Sequence, residues 1–209
     1  MSLPKPTQAQ IDLWRKRDYS WSQHSSFKWS PPQWFERYIL DIPSPPTPEL
    51  GFGKVFADSC EIGKPLAPIT MFSKMEQDFK VPFHGFTLIG YADTFCDTTF
   101  KRIGEYKTGM KEWTQKRVDE HGQLTFYCLM NFIANKIRPE DVEIFLEWIP
   151  TVRVWKERDE SGFDYEMTFR DNPPVPVHFK TKRTMQETLA FGNEIVKTRK
   201  EMEDFIANL

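Results

Sequence analysis

Cysteine is scarce in this sequence: Cys60, Cys96 and Cys128 are the only three in 209 residues, far apart and without Cys-x-x-Cys spacing. An odd number at such spacing excludes a disulfide framework and a zinc site, so all three are expected as buried thiols of a reducing compartment. No apolar run approaches the roughly 20 residues that cross a bilayer. The opening Met1-Ser2-Leu3-Pro4-Lys5-Pro6 lacks the apolar stretch of a secretory signal. A soluble, cytoplasmic chain with no membrane partner is expected. Charge of one sign is also missing, with 28 Lys and Arg against 30 Asp and Glu for a net charge of −2. This excludes a uniformly basic nucleic-acid binder but leaves room for a local basic surface, because the field near a groove depends on where the charges sit. The four histidines, His24, His84, His121 and His178, have no ligand spacing to one another. His84 alone stands just before a candidate functional strand. No internal repeat or low-complexity tract occurs.

Aromatic side chains are abundant, with 18 Phe and 7 Trp. Most are expected in a core, and some can stack on a ligand or line a surface. The length and the 39% hydrophobic content suit one domain. Thr7 and Gln10 have capping-box spacing and open a short helix through Ile11, Leu13 and Trp14 that ends in Arg15-Lys16-Arg17. Ser22 can cap a second helix carrying Phe27 and Trp29, broken by Pro31-Pro32, and apolar spacing predicts a third over residues 33–40. The proline-rich residues 42–48 read as an extended strap. Residues 49–61 read as helix, and residues 70–79 as a further one.

After Phe83 the period changes to two. Residues 87–95 and 101–107 read as antiparallel strands joined by a turn at 96–99. A helix begins at Gln123, a strand is expected over 142–149, and residues 151–156 and 165–169 make a hairpin around a turn at 159–162. An edge strand over 175–182 follows. Thr184 and Glu187 open a long final helix with Leu189, Ile195, Val196, Met202, Phe205 and Ile206 on one face. The chain thus divides into N-terminal helices and strap (1–48), a central core (49–149) and a C-terminal hairpin and helix (150–209), all in one domain.

The chemistry concentrates between Ile89 and Tyr127. Gly90-Tyr91-Ala92-Asp93 ends one strand, and Gly104-Glu105-Tyr106-Lys107-Thr108-Gly109 forms the next. Alternation puts Glu105 and Lys107 on one face and Tyr106 on the other. Asp93 and Glu105 can supply two oxygen ligands to a hard divalent cation, with the Tyr106 carbonyl as a third. Lys107 can then orient a water or compensate phosphate charge. The competing reading is a solvated strand face with a weak Glu105–Lys107 pair. Lys111 lies close in sequence and can reach substrate. Lys101, Arg102, Lys116, Arg117, Lys180, Lys182 and Arg183 can line a phosphate path or merely be solvated. Trp113 can stack on a base or fill the core.

With Gln123-x-x-x-Tyr127 following, one helical turn apart, these motifs resemble in order those of the PD-(D/E)XK nuclease superfamily, RecB-like branch. Residues 22–40, with Ser30-Pro31-Pro32-Gln33-Trp34-Phe35-Glu36-Arg37-Tyr38, resemble that branch's opening helices, and residues 53–61 its first-motif helix. The resemblance spans about residues 22–149. It implies an α/β fold with a mixed central sheet flanked by helices around a restriction-endonuclease-like core. It also implies Mg²⁺ or Mn²⁺ dependence, and cleavage of DNA at ends or in single strands, in phage or recombination processing. A separate helicase or single-strand annealing protein would be the partner, and a bacterial or phage-infected cytoplasm the setting. Asp93 and Glu105 match the metal carboxylates, Lys107 the catalytic lysine, and Gln123 and Tyr127 the pair that holds the substrate strand.

The sequence departs from the family in two places. Many relatives carry a histidine ligand in the first-motif helix, where this chain has Phe56-Ala57; Glu61, or failing it Asp58, would substitute, and a solvated helix face is the competing reading. The cysteines that hold an iron–sulfur cluster in some relatives are absent: Ser30 occupies the first position and no cysteine follows Cys128, so no cluster is expected. The alternatives to an exonuclease are a site- or structure-specific endonuclease and a non-catalytic nucleic-acid-binding subunit.

Overall fold

In a computed structural model, which describes residues 3–158, 160 and 162–209, Thr7 and Gln10 form the expected capping box on α1 (Gln8–Lys16). The short β1 (Tyr19–Ser20) follows, and its last residue caps α2 (Trp21–Trp29): the Ser20 hydroxyl accepts from the Gln23 amide. Ser20 therefore replaces the expected Ser22, because it is still extended in the sheet while Ser22 already lies inside the helix. Pro31 starts a helix as well as ending one. It sits at the first position of α3 (Pro31–Tyr38), capped by Ser30, where its missing N–H costs nothing. Residues 42–47 form no helix or strand. Beyond them Thr47 caps α4 (Pro48–Glu61).

The helix expected over 70–79 is instead β2 (Lys74–Phe83), which pairs antiparallel with β3 (Phe86–Phe95). Lys-Met-Glu-Gln-Asp suits a helix by propensity, but burial of Phe79 and Val81 on alternate positions against a full-length partner overrides it. His84 and Gly85, both at positive φ (44° and 87°), make the two-residue hairpin turn. His84 is exposed there.

β4 (Arg102–Gly109) pairs antiparallel with β3 only at Thr94–Gly104 and Phe95–Ile103, then runs parallel to β5 (Glu143–Trp155) along its whole length. Between β4 and β5 lie α5 (Gln115–Asp119), α6 (Gly122–Asn135) and a 3₁₀ turn, Pro139–Asp141. β5 is one strand where two were expected. Pro150 is tolerated because the strand changes partner there. β7 (Val177–Thr181) covers residues 144–148 and β6 (Tyr165–Phe169) covers 151–155, both antiparallel. Asp159 and Ser161 of the expected turn lie outside the described residues.

Thr184 and Glu187 box the start of α7 (Met185–Ala207). Its buried stripe runs through Thr188, Gly192, Ile195, Thr198, Met202 and Ile206, which leaves Leu189 at 50% exposure, contrary to the expected face.

Seven strands thus form a mixed sheet with helices on both sides, a single-domain α/β architecture as expected. The larger core joins α1, α2, α3, α6 and α7 to one face. The smaller one sets Phe56 and Cys60 of α4 against Tyr106, Phe145 and Ile149. Cys60 and Cys128 are buried free thiols, but Cys96 in the β3–β4 turn is only half-buried. Among the described residues no helix is long and apolar enough to cross a membrane.

The crossing of β3 and β4 leaves no room for a side chain at Gly104, where a Cβ would overlap the Phe145 ring and the Thr94 methyl. Gly104→Ala should therefore destabilise the fold by about 1–3 kcal/mol. Urea unfolding followed by tryptophan fluorescence measures this.

Candidate functional site

The two-residue pairing of β3 with β4 creates the site. Continued register would set Asp93 opposite Glu105 and Ala92 opposite Tyr106, but the strands part. The Asp93 carboxylate then takes the place of a strand partner, its Oδ2 accepting from the Tyr106 amide at 2.7 Å. On the same stretch of β3 the Tyr127 hydroxyl donates to the Tyr91 carbonyl. Strand divergence thus turns backbone groups toward side chains from β3 and α6.

Across this opening runs a continuous hydrogen-bonded chain. The Lys107 ammonium donates to Glu105 Oε1 in a short contact and to Gln123 Oε1 at 2.9 Å. Gln123 in turn donates through Nε2 to the Tyr127 hydroxyl at 2.6 Å. The i, i+4 spacing of Gln123 and Tyr127 on α6 makes that last link. Glu105 is only 2% exposed, and its second oxygen, Oε2, is buried with no hydrogen-bond partner.

Burial first, and then the neighbouring Glu105, push the Asp93 carboxyl well above the usual carboxylate range; Lys107 and the Tyr106 amide pull it down without prevailing. Burial works to lower the Lys107 ammonium, but Glu105 and Asp93 together outweigh it and hold it above its ordinary value. Lys107 is therefore a cation, not a neutral base. Burial, followed by repulsion from Glu105 and Asp93, raises the Tyr127 phenol well above its ordinary value, so it remains a neutral donor.

A cavity of about 500 Å³ opens onto this group, lined by Asp93, Glu105, Tyr106, Lys107, Glu76 and the α4 residues around Gly53. The orphaned Glu105 oxygen beside a second carboxylate fits a hard divalent cation, since leaving such an atom unpaired costs about 1–3 kcal/mol or more. Among the described residues no group of three or more His, Cys, Asp or Glu side chains is arranged to hold a metal ion. The donors present are two carboxylates and the strand backbone at Tyr106, which suits an ion that retains much of its water. The Tyr106 side chain turns to the other side, its hydroxyl donating to the Thr70 carbonyl at 2.6 Å.

The other expected site residues are placed less centrally. Glu61 is the last residue of α4, exposed, and does not line the cavity; Asp58 is exposed and paired with Lys54 at 2.9 Å. Lys111 is exposed in the bend after β4 and is also absent from the lining.

Glu76 is the acid that sequence reasoning missed. It sits at φ +47° between the pairs Met75–Thr94 and Gln77–Ala92, where the unchanged register of β2 and β3 sets it opposite Asp93 on the cavity rim. Burial, then Glu61 and Asp58, raise its carboxyl above the ordinary value. Reading residues 70–79 as helix hid it, although the alternation of Phe79, Val81 and Phe83 was the available signal for a strand.

No family model and no curated protein matches this sequence. Among solved structures, the fold is similar to the crystal structure of a protein from Eubacterium rectale named as a candidate exonuclease. The TM-score is 0.60 at 10% identity, over 100% of this chain and 88% of that one. At that identity the likeness establishes a shared fold, an α/β domain with a mixed sheet flanked by helices.

If the carboxylate pair binds a cation, saturating Mn²⁺ should raise the melting temperature by about 5 °C. Glu105→Gln should abolish the rise, Glu76→Gln should reduce it, and Glu61→Gln should leave it intact. Thermal unfolding with and without Mn²⁺ measures all four proteins.

Proposed function

We propose that this chain is a Mg²⁺- or Mn²⁺-dependent deoxyribonuclease that hydrolyses phosphodiester bonds, acting as an exonuclease on DNA ends or single strands. The observation that carries this reading is the unbroken link from Glu105 through Lys107 and Gln123 to Tyr127, with Asp93 beside it. A cation held by Asp93 and Glu105, with the Tyr106 carbonyl as a further donor, would neutralise the scissile phosphate and acidify a water.

The chain's own groups divide the remaining work. Glu105 and Gln123 fix the Lys107 ammonium from two sides, so it meets an incoming phosphate oxygen or attacking water without having to reorganise. Gln123 is itself held by Tyr127, which is anchored on the β3 backbone. The α6 pair therefore keeps the lysine aimed and presents polar groups to the strand. A binding module has no use for a lysine locked against an orphaned carboxylate, which favours an enzyme over a non-catalytic subunit. The exonuclease form draws on the motif order, and on the shared fold with a protein named as a candidate exonuclease. Lys111 belongs to this reading as an outer phosphate contact. A helicase or single-strand annealing protein would be a separate chain, and the cytoplasm of a bacterium or phage-infected host the site of action.

The test is incubation of end-labelled single-stranded, double-stranded and circular DNA with Mg²⁺, Mn²⁺ or EDTA. Linear DNA should be degraded with either metal, circles should persist, and EDTA or Lys107→Ala should lower the rate by at least about a hundredfold. Activity that survives EDTA or the Lys107 change would overturn the metal mechanism. Nicking of circles would replace the exonuclease with an endonuclease.

A further inference from the structure

The Gln123–Tyr127 pair has a second side. A separate groove of about 530 Å³, whose lining includes neither Asp93 nor Glu105, is lined by Arg17, Trp21, Tyr38 and Tyr91 as well as by Gln123 and Tyr127. The two cavities are linked through one hydrogen bond, from Lys107 in the lining of the first to Gln123 in the lining of the second, at a place where β3 between Ile89 and Thr94 has neither β1 nor β4 as a neighbour. A strand held at Lys107 can therefore continue past Gln123 into this groove.

Three features give the groove a chemistry. Tyr91 stands 54% exposed only two residues from Asp93, a large aromatic that the fold does not use for packing. The Arg17 guanidinium lies 5.9 Å from the Tyr38 ring centre, and its ion-pair partner among the described residues is the well-exposed Asp41 at 3.6 Å, a contact that an incoming anion can displace. The acid in the lining, Asp18, is already paired with Lys80 at 2.7 Å, so the groove does not repel a phosphate.

The floor, moreover, is unsatisfied. Gln23 is 2% exposed and donates to the Asp18 carbonyl at 2.7 Å, but its Oε1 has no partner. The Tyr38 hydroxyl is likewise buried and unpaired. An acceptor and a hydroxyl without partners, on two residues that line the groove, can pair with the edge of a nucleobase once their side chains turn toward it, and the volume accommodates about one nucleotide.

We infer that this groove is a subsite for the nucleotide adjoining the scissile phosphate in single-stranded DNA, with its base against Tyr91 and Trp21 and its phosphate on Arg17. The inference rests on the nuclease reading and adds the path of the strand. Stacking of this kind tolerates any base, so little sequence preference is expected from it.

The test is fluorescence anisotropy of a short labelled oligothymidylate, with Ca²⁺ replacing Mg²⁺. Tyr91→Ala and Arg17→Ala should each weaken binding by about tenfold, and Tyr91→Phe should restore it. Trp155→Ala, which removes a 71% exposed aromatic from the β5–β6 hairpin, should change nothing. A parent protein that binds and cleaves DNA while Tyr91→Ala and Arg17→Ala match it in affinity and KM overturns the subsite and leaves the nuclease standing. A parent that neither binds nor cleaves DNA overturns both.

Discussion

Asp93 and Glu105 are two carboxylates in one cleft, sharing one ammonium, that of Lys107. Burial first, and then the like charge of Glu105, raise the Asp93 carboxyl above its ordinary range, which records the cost of holding both in a poorly hydrated place. Lys107 compensates one oxygen of Glu105 and leaves the other buried and unpaired. A fold selected for stability alone would replace such a pair with apolar residues, which often costs nothing. What can offset the pair is a cation, so the arrangement is understood as stability given up for a binding site. The left-handed backbone of Glu76 on the rim of the same cavity adds strain of about 1–2 kcal/mol at the same place.

The rest of the architecture serves this junction. Gly104 lets β3 and β4 cross closely at two residue pairs, after which they separate and Asp93 reaches the Tyr106 amide. The parallel partner β5 holds β4 rigid along its length, so Glu105 and Lys107 are positioned by a strand and not by a loop. From one side α6 inserts Gln123 and Tyr127 into the opening, while α4 packs against Tyr106 on the other and closes the cavity. The first three helices frame the second groove, which gives the N-terminal part of the chain a role beyond packing.

Much of this was legible in the sequence because the signals were local. Capping boxes at Thr7 and Thr184 marked helix starts, alternation marked β3 and β4, and i, i+4 spacing aligned Gln123 with Tyr127. The misreadings arose where distant partners decide. Residues 74–83 have helical composition and became a strand only because β3 pairs with them, and this concealed Glu76. Pro150 looked like a strand end and is tolerated because β5 changes partner there. Leu189 looked like core and is not, since α7 packs through Thr188 and Gly192. Nor could any local pattern show that Arg17, Tyr38 and Tyr91, spread over 75 positions of numbering, line one groove.

If Glu105 and Lys107 act as one unit around a bound cation, their losses should not multiply. The most direct measurement is a double-mutant cycle on the rate of linear DNA cleavage in Mn²⁺, using Glu105→Gln, Lys107→Met and the pair together. The account predicts that the double variant is no more than about threefold slower than the slower single variant. Losses that multiply would show that the two residues work independently, and would contradict it.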